Sequence, residues 1–389
     1  MRFSPHVAAQ ELAVVARAMT LKWAFINAAV GGAKGGIFAD PDQLGCTRVS
    51  LMESFGRAIA PLVHERRYFP GIDLGTTLDD LDAILRGAGR TLDPGPIDGS
   101  WCTALTVFES IRQGVNFLGQ ELRGQRVVLE GFGKVGSSLA RLLDQAGARL
   151  VALSTEEGAV ITDDGLDVSH LLTLKGRHGD CLVVSIPGVR RLASKELYFQ
   201  DFDILVPGAH VHVLHGGNAG RVRARLIVAI ANAPLTTEAE ELLTTRGTLV
   251  FPDFVTNAGG VLSSELSGAG FTLRDFEFVV MVVYSQVLRR LFEVAACDGI
   301  TVCEVAPRLA WNNHAELNKD TPTPGGLFQR AGGAWKVHGW RGVKNRMAWR
   351  IYKNNRHIPE GLRQAALERY MEFTLGKTLA WLDARLNNK

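Results

Sequence analysis

The chain has 389 residues, 46% of them hydrophobic and 21% charged, with a net charge of +3. That length suits two cores better than one, and the apolar content is enough to offset the entropy of folding, which excludes a disordered chain. The near-balanced charge gives no reason to expect nucleic acid or a membrane surface as partner, and no apolar run is long enough to span a bilayer.

The N-terminal stretch is interrupted by Gln10, Glu11 and Arg17, so it does not read as a signal peptide. Ser4-Pro5 followed by Ala8, Leu12, Val15 and Met19 predicts an amphipathic helix, with Ser4 as its cap and Pro5 in its first turn. Gly31-Gly32-Ala33-Lys34-Gly35-Gly36 forces a loop. Helices are predicted over 50–64, over 79–90, where the pattern ends at glycine, and over 103–118. Residues 126–147 read as a buried strand, a glycine turn and a helix, and 150–154 as the next strand. CLVVSIPG (181–188), DILVPGA (203–209), LIVAIANAP (226–234) and LVFPD (249–253) continue the theme as further strands. Such runs alternating with helical segments predict an α/β fold whose parallel sheet is covered on both faces. Residues 272–319 predict helices that run back to the first domain, and TPTPGG (321–326) predicts a linker. Beyond it Arg341, Lys344, Arg346, Arg350, Lys353 and Arg356 mix with Trp340, Trp349 and Tyr352. A solvated helical extension or an oligomer contact is the expected reading of this tail, ahead of nucleic-acid binding. The five cysteines (Cys46, Cys102, Cys181, Cys297, Cys303) show no CxxC spacing and no histidine cluster, which predicts reduced thiols in a cytoplasmic protein and no metal.

Gly131-Phe132-Gly133-Lys134-Val135-Gly136 is a GxGxxG motif that follows a predicted strand and opens a predicted helix. The first glycine permits a tight turn, the second lets backbone approach a pyrophosphate, and the third lets helix and strand pack closely. The second strand ends at Thr155 and Glu156, where an acidic side chain would hold the ribose diol, and no Arg or Lys stands there for a 2′-phosphate. NAD is the expected cofactor, with NADP possible.

MTLKWAFINAAVGGAKGGIFADP (19–41), RRYFPGIDLGTTLDDLDAI (66–84), DILVPGA, IANAPLTTEAEELLTTRG (230–247) and PDFVTNAGGVLSSE (252–265) occur in order on this one chain. Together they resemble the glutamate/leucine/phenylalanine/valine dehydrogenase family, closest in look to glutamate dehydrogenases, over residues 1 to about 319. The GTTxDDxD portion resembles the leucine branch. The resemblance implies NAD(P)-dependent oxidative deamination of an L-amino acid, glutamate favoured over leucine or valine, to the 2-oxo acid and ammonia. That chemistry needs a lysine whose pKa falls toward neutrality, which burial and a neighbouring cation both promote. By resemblance Lys34 polarises the water and the carbonyl oxygen, Lys22 pairs with the substrate α-carboxylate and helps to depress Lys34, and Asp73 shuttles the proton at the amino nitrogen. Ser264 and Thr103 are assigned to the substrate, and Ala209, Asn232 and Asn257 to the cofactor, with Thr103, Asn232 and Asn257 near the nicotinamide. The bland alternatives are a solvated loop lysine at 34, a turn or cap at Asp73, and caps elsewhere.

The implied organisation is a substrate-binding and catalytic domain (1–107), a Rossmann-type dinucleotide-binding domain (108–265), helices packing back on the first domain (266–319) and a basic C-terminal extension (320–389). The family carries a helix and strands ahead of the position of Met1, and there a lysine that binds the substrate side-chain carboxylate. An N-terminally short substrate domain with an exposed strand edge is therefore expected. So is the alternative of a non-catalytic dinucleotide-binding homologue. A homo-oligomer is expected, acting on small-molecule amino and 2-oxo acids.

Overall fold

A computed structural model describes residues 1–40, 43–92, 97–268, 271–319 and 360–387 of the chain. Strand β1 (Arg2–Phe3) pairs in parallel with β2 (Gly36–Ile37), and helix α1 (Ala9–Phe25) connects them. The expected cap at Ser4 is corrected by this pairing. The Ser4 amide donates to the Ile37 carbonyl at 3.2 Å, so Ser4 ends the strand, and α1 begins later, at Ala9, without a side-chain cap. Helices α2 (Thr47–His64) and α3 (Leu78–Gly87) pack on each other, with Met52, Ala83 and Ile84 buried against Met1 and Phe3. Thr77 and Asp80 form a capping box at the start of α3, and the Asp80 carboxylate also accepts Arg48 Nε at 2.8 Å and Nη2 at 2.7 Å.

Helix α4 (Gly99–Phe117) leads into the main sheet, and most of its residues from Cys102 to Val115 are buried. The sheet holds β3 (Arg126–Glu130), β4 (Arg149–Thr155), β5 (Gly158–Ile161), β6 (Arg190–Leu192), β7 (Ile204–Val206), β8 (Leu226–Ile227) and β9 (Leu249–Val250), in the order β6-β5-β4-β3-β7-β8-β9. Val127, Val128 and Leu129 of β3 are fully buried, as a central strand covered on both faces requires. Helix α5 (Lys134–Gln145) turns Leu139, Ala140 and Leu143 onto the sheet. The Rossmann-like core expected from the sequence is thus present, with two corrections. The sheet is mixed rather than all parallel: β5 runs antiparallel to both β4 and β6, because only Glu156 and Glu157 separate Thr155 from its partner Gly158, too few residues for a crossover. The run CLVVSIPG is no strand. Following α6 (Val168–His178) it forms a short helix, α7 (Leu182–Ser185), which buries Leu182 and Val183 and leaves Val184 exposed; the β4–β5 hairpin occupies the sheet position beside β4.

Helices α8 (Thr237–Thr245), α9 (Asp253–Thr256), α10 (Gly259–Gly268) and α11 (Leu273–Phe278) follow. A π-helical turn (Val279–Tyr284) then leads into α12 (Ser285–Asp298), and α13 (Val302–Lys319) runs back along α1. TPTPGG and the Arg341–Arg356 cluster lie outside the described residues. Helices α14 (Glu360–Phe373) and α15 (Leu375–Asn387) are not a solvated extension: Leu367, Met371, Leu375 and Leu382 join the main core. Thr378 Oγ1 donates to the Phe25 carbonyl at 2.8 Å and accepts from Asn313 Nδ2 at 3.2 Å. Among the described residues, no helix is long and apolar enough to cross a membrane.

Candidate active site

The C-terminal ends of β3, β4 and β7 open onto a cleft of about 1230 Å³, whose far wall is Arg2, Asp73 and Leu74 from the N-terminal segment. Sheet ends of this kind are where open α/β folds bind ligands. All of Gly131, Phe132, Gly133, Lys134, Val135 and Gly136 line the cleft, as do Thr155, Glu156, Ala209 and Asn232. Gly131 has φ of 85°, a left-handed conformation that suits glycine, and a Cβ at Gly136 would stand 2.1 Å from the Gly131 carbonyl oxygen. Nothing lies within 4 Å of where a Cβ at Gly133 would be, so open space adjoins the first turn of α5. This turn fits a pyrophosphate: backbone free to approach, and a helix N-terminus behind it. Thr155 is nearly buried, and its hydroxyl donates to the Asp180 carbonyl at 2.8 Å.

Lys22, from α1, and Lys34, from the glycine-rich loop, stand behind the cleft lining and reach it through their lining partners Asn232 and Asp73. Lys34 forms an ion pair with Asp73, and Arg2 Nε stands 3.6 Å from the same carboxylate oxygen. The Lys34 side chain is only 11% exposed, so it is no solvated loop lysine. Burial alone would raise the Asp73 carboxyl, but the Lys34 ammonium, the Leu74 amide and Arg2 together hold it below the usual carboxylate value. Lys22, in the last turn of α1, is buried, and Nζ donates to Asn232 Oδ1 at 2.9 Å. Burial first, then the Lys34 charge, push Lys22 down to about 8 against the opposing pull of Asp253. Asp253 is itself raised by burial and accepts the Ala233 amide at 2.8 Å. Ala233 has φ of 50°, a strained conformation for a residue with a Cβ, held here beside Lys22's partner Asn232.

Asn257 Nδ2 donates to the Ile230 carbonyl at 2.9 Å and to Asn232 Oδ1 at 3.2 Å, while its own Oδ1 is buried with no hydrogen-bond partner among the described residues. An orphaned acceptor directly behind the lining residues Ile230 and Asn232 fits the amide group of a nicotinamide. Thr103 and Ser264 are placed otherwise. Thr103 Oγ1 donates within α4 to the Gly99 carbonyl at 2.8 Å; Ser264 is exposed on α10 and donates to the Gly260 carbonyl at 3.0 Å. Neither forms part of the cleft lining.

Four residues at the site escape sequence reasoning: Arg2, Glu130, Asp253 and His210. Each is an isolated charged or titratable side chain beside a strand or turn, with no spacing signal. The one usable hint is Glu130, a carboxylate ending a buried apolar strand immediately before the glycine turn.

Comparison with known proteins agrees with this fold. Residues 98–274 match the profile of the Glutamate/Leucine/Phenylalanine/Valine dehydrogenase family, and residues 1–88 match that family's dimerisation domain. The chain is 34% identical over 287 residues to an NADP-specific glutamate dehydrogenase of Saccharolobus shibatae, covering 69% of this chain and 67% of that one. It is 35% identical over 280 residues to an NAD-specific glutamate dehydrogenase of Staphylococcus aureus, covering 68% and 67%. Among solved structures, a hetero-hexameric glutamate dehydrogenase from Thermus thermophilus, in a leucine-bound form, superposes with a TM-score of 0.72 at 29% identity, covering 83% of this chain and 82% of that one.

Proposed function

Since the chain belongs to the glutamate/leucine/phenylalanine/valine dehydrogenase family, we propose that it catalyses the reversible NAD(P)-dependent oxidative deamination of L-glutamate to the 2-oxo acid and ammonia. The observation that carries this reading is the run of contacts from Arg2 and Asp73 through Lys34, and from Lys22 through Asn232 to Asn257, beside the GxGxxG turn.

A bound nicotinamide would supply the hydride acceptor for the substrate α-carbon. The protein does the rest. Gly131–Gly136 would hold the pyrophosphate, Thr155 and Glu156 the adenosine end, and Ala209, Asn232 and Asn257 the nicotinamide end. Lys22, with its pKa near 8, is mostly charged at neutral pH and pairs with the substrate α-carboxylate. Asp73, kept ionised beside Lys34, is the base that takes the proton from the amino nitrogen. Lys34 orients the water that attacks the imine carbon and stabilises the developing oxyanion. Thr103 and Ser264 border the substrate only if closure brings α4 and α10 nearer to it.

Glutamate is the preferred substrate on two grounds: the relatives compared above are named for it, and Arg2, though paired with Glu11 through its Nη1, keeps a buried Nε without a hydrogen-bond partner among the described residues, suited to a second carboxylate. A homo-oligomer in the cytoplasm completes the proposal. Exposed Phe38 and Phe69, both in the segment that matches a dimerisation domain, support self-association, and the scattered cysteines suit a reducing compartment.

The test is absorbance of reduced nicotinamide with purified protein, NAD or NADP, and a panel of L-amino acids. Reduction with glutamate above leucine and valine is expected. Absence of turnover across the panel, with dinucleotide bound, would favour a non-catalytic homologue instead.

A further inference from the structure

Glu130 ends β3, and only 4% of its side chain is exposed. Four donors meet its carboxylate. The Gly208 and Ala209 amides reach Oε2 at 2.9 and 3.2 Å, and the Tyr198 hydroxyl and His210 Nδ1 reach Oε1 at 2.7 and 3.1 Å. Among the described residues no lysine or arginine pairs with it, so His210 is the one side chain there able to neutralise a buried carboxylate.

The His210 ring itself is 72% exposed and lines the cleft. It stands on the loop that follows β7, and β7 is the neighbour of β3 in the sheet. That loop therefore faces the GxGxxG turn. A Cβ at Gly131 would lie 3.5 Å from the Gly208 carbonyl and 3.6 Å from the Ala209 side chain, so the two loops are in contact. The charged groups facing the ring come from three further elements: Glu130 on β3, Glu156 in the β4–β5 turn, and Arg2 on β1. The Glu130 hydrogen bond raises the His210 pKa above its ordinary value, with the charges of Glu130 and Glu156 acting the same way and burial and Arg2 acting against.

We infer that His210, clamped by Glu130, is a further dinucleotide-binding residue: its imidazolium contacts a phosphate of the cofactor from the side of the cleft opposite the start of α5. This rests on the reading of the cleft as a dinucleotide site. The attraction exists while His210 is protonated and is lost as pH rises through its pKa. By linkage the bound dinucleotide raises that pKa further, so binding takes up protons within the same window.

The experiment is a titration of the full chain with NAD, followed by protein fluorescence, from pH 5.5 to 9, for the parent and His210→Gln. Glutamine can still donate to Glu130 but carries no charge, so the loop is retained. The parent Kd should rise about five- to tenfold across the range, the size of one partly exposed charge-assisted contact. His210→Gln should be flat, at the parent's high-pH affinity. The His210 ring proton in NMR should titrate at higher pH with NAD present. An unchanged pH slope in His210→Gln, or a His210 pKa indifferent to NAD, overturns the inference while leaving the cleft as a dinucleotide site. Failure of both proteins to bind NAD or NADP overturns the cleft reading and this inference together.

Discussion

Arg2, Lys34 and Asp73 crowd two cations onto one carboxylate, and a substrate entering there redistributes those pairings. If Arg2 meets a second carboxylate, Arg2→Leu should raise KM for glutamate by at least about tenfold and shift preference toward leucine, since a charged contact contributes about 1.5–3 kcal/mol. Steady-state kinetics on both amino acids reads this directly. Lys34→Ala should lower kcat by about 10²- to 10⁴-fold, the range for a positioned acid–base group, while circular dichroism shows an unchanged fold. Glu240 offers a different test, remote from the chemistry. Burial first, with the charges of Asp253, Glu241 and Glu304, raises its pKa to about 7 against the pull of a Cys303 hydrogen bond. A carboxyl raised in the folded state contributes stability that is full below its unfolded value of 4.5 and lost as pH rises through about 7. Glu240→Gln should therefore raise the melting temperature at pH 8 by more than at pH 5. Lys22, Lys34 and Asp73 were legible because the two motifs that hold them, 19–41 and 66–84, stand in order along the chain. Arg2 and His210 were not, since a lone cation carries no periodicity and its neighbours come from other elements.

The glycine turn and its helix were readable as a unit because strand, turn and helix are contiguous, and local sterics dictate each glycine. Gly136→Ala tests the tightest of them. A methyl 2.1 Å from the Gly131 carbonyl forces α5 away from β3. Dinucleotide affinity should fall more than tenfold, and stability by about 1–3 kcal/mol, measured by NAD titration and urea unfolding. The element misread was α7. An apolar run of four residues satisfies a strand and a short helix equally, and periodicity cannot separate them. The β4–β5 hairpin decided the matter, because β5 holds the sheet position beside β4. The antiparallel edge was missed because β5 and β6 are short and Arg190 and Arg191 of β6 are polar and exposed, which is how edges are blunted.

Lys22 sits at the end of α1, and that end is tied down by distant parts of the chain. Asn313 Nδ2 donates to the Ala24 carbonyl at 3.1 Å and Thr378 Oγ1 to the Phe25 carbonyl, satisfying acceptors that a helix end leaves open. Leu382, fully buried on α15, holds the last helix in the core. Leu382→Ala should cost about 2–5 kcal/mol in urea unfolding and, by loosening α1, raise KM for the amino acid. Polar residues 65 and 353 positions away from their partners leave no trace in local sequence.

By itself the amino-acid sequence determined the α/β core, the strand–glycine-turn–helix unit and the positions of the Lys22, Lys34 and Asp73 motifs, because glycine sterics, strand burial and ordered motifs act over short stretches of chain. Only the tertiary structure decided what surrounds those groups. It brought Arg2 to Asp73, lowered Lys22 through burial, set Asp253 behind it, and joined His210 to Glu130 across adjacent strands. The physical reason is that charge–charge and desolvation effects depend on separation in space, and folding alone sets those separations.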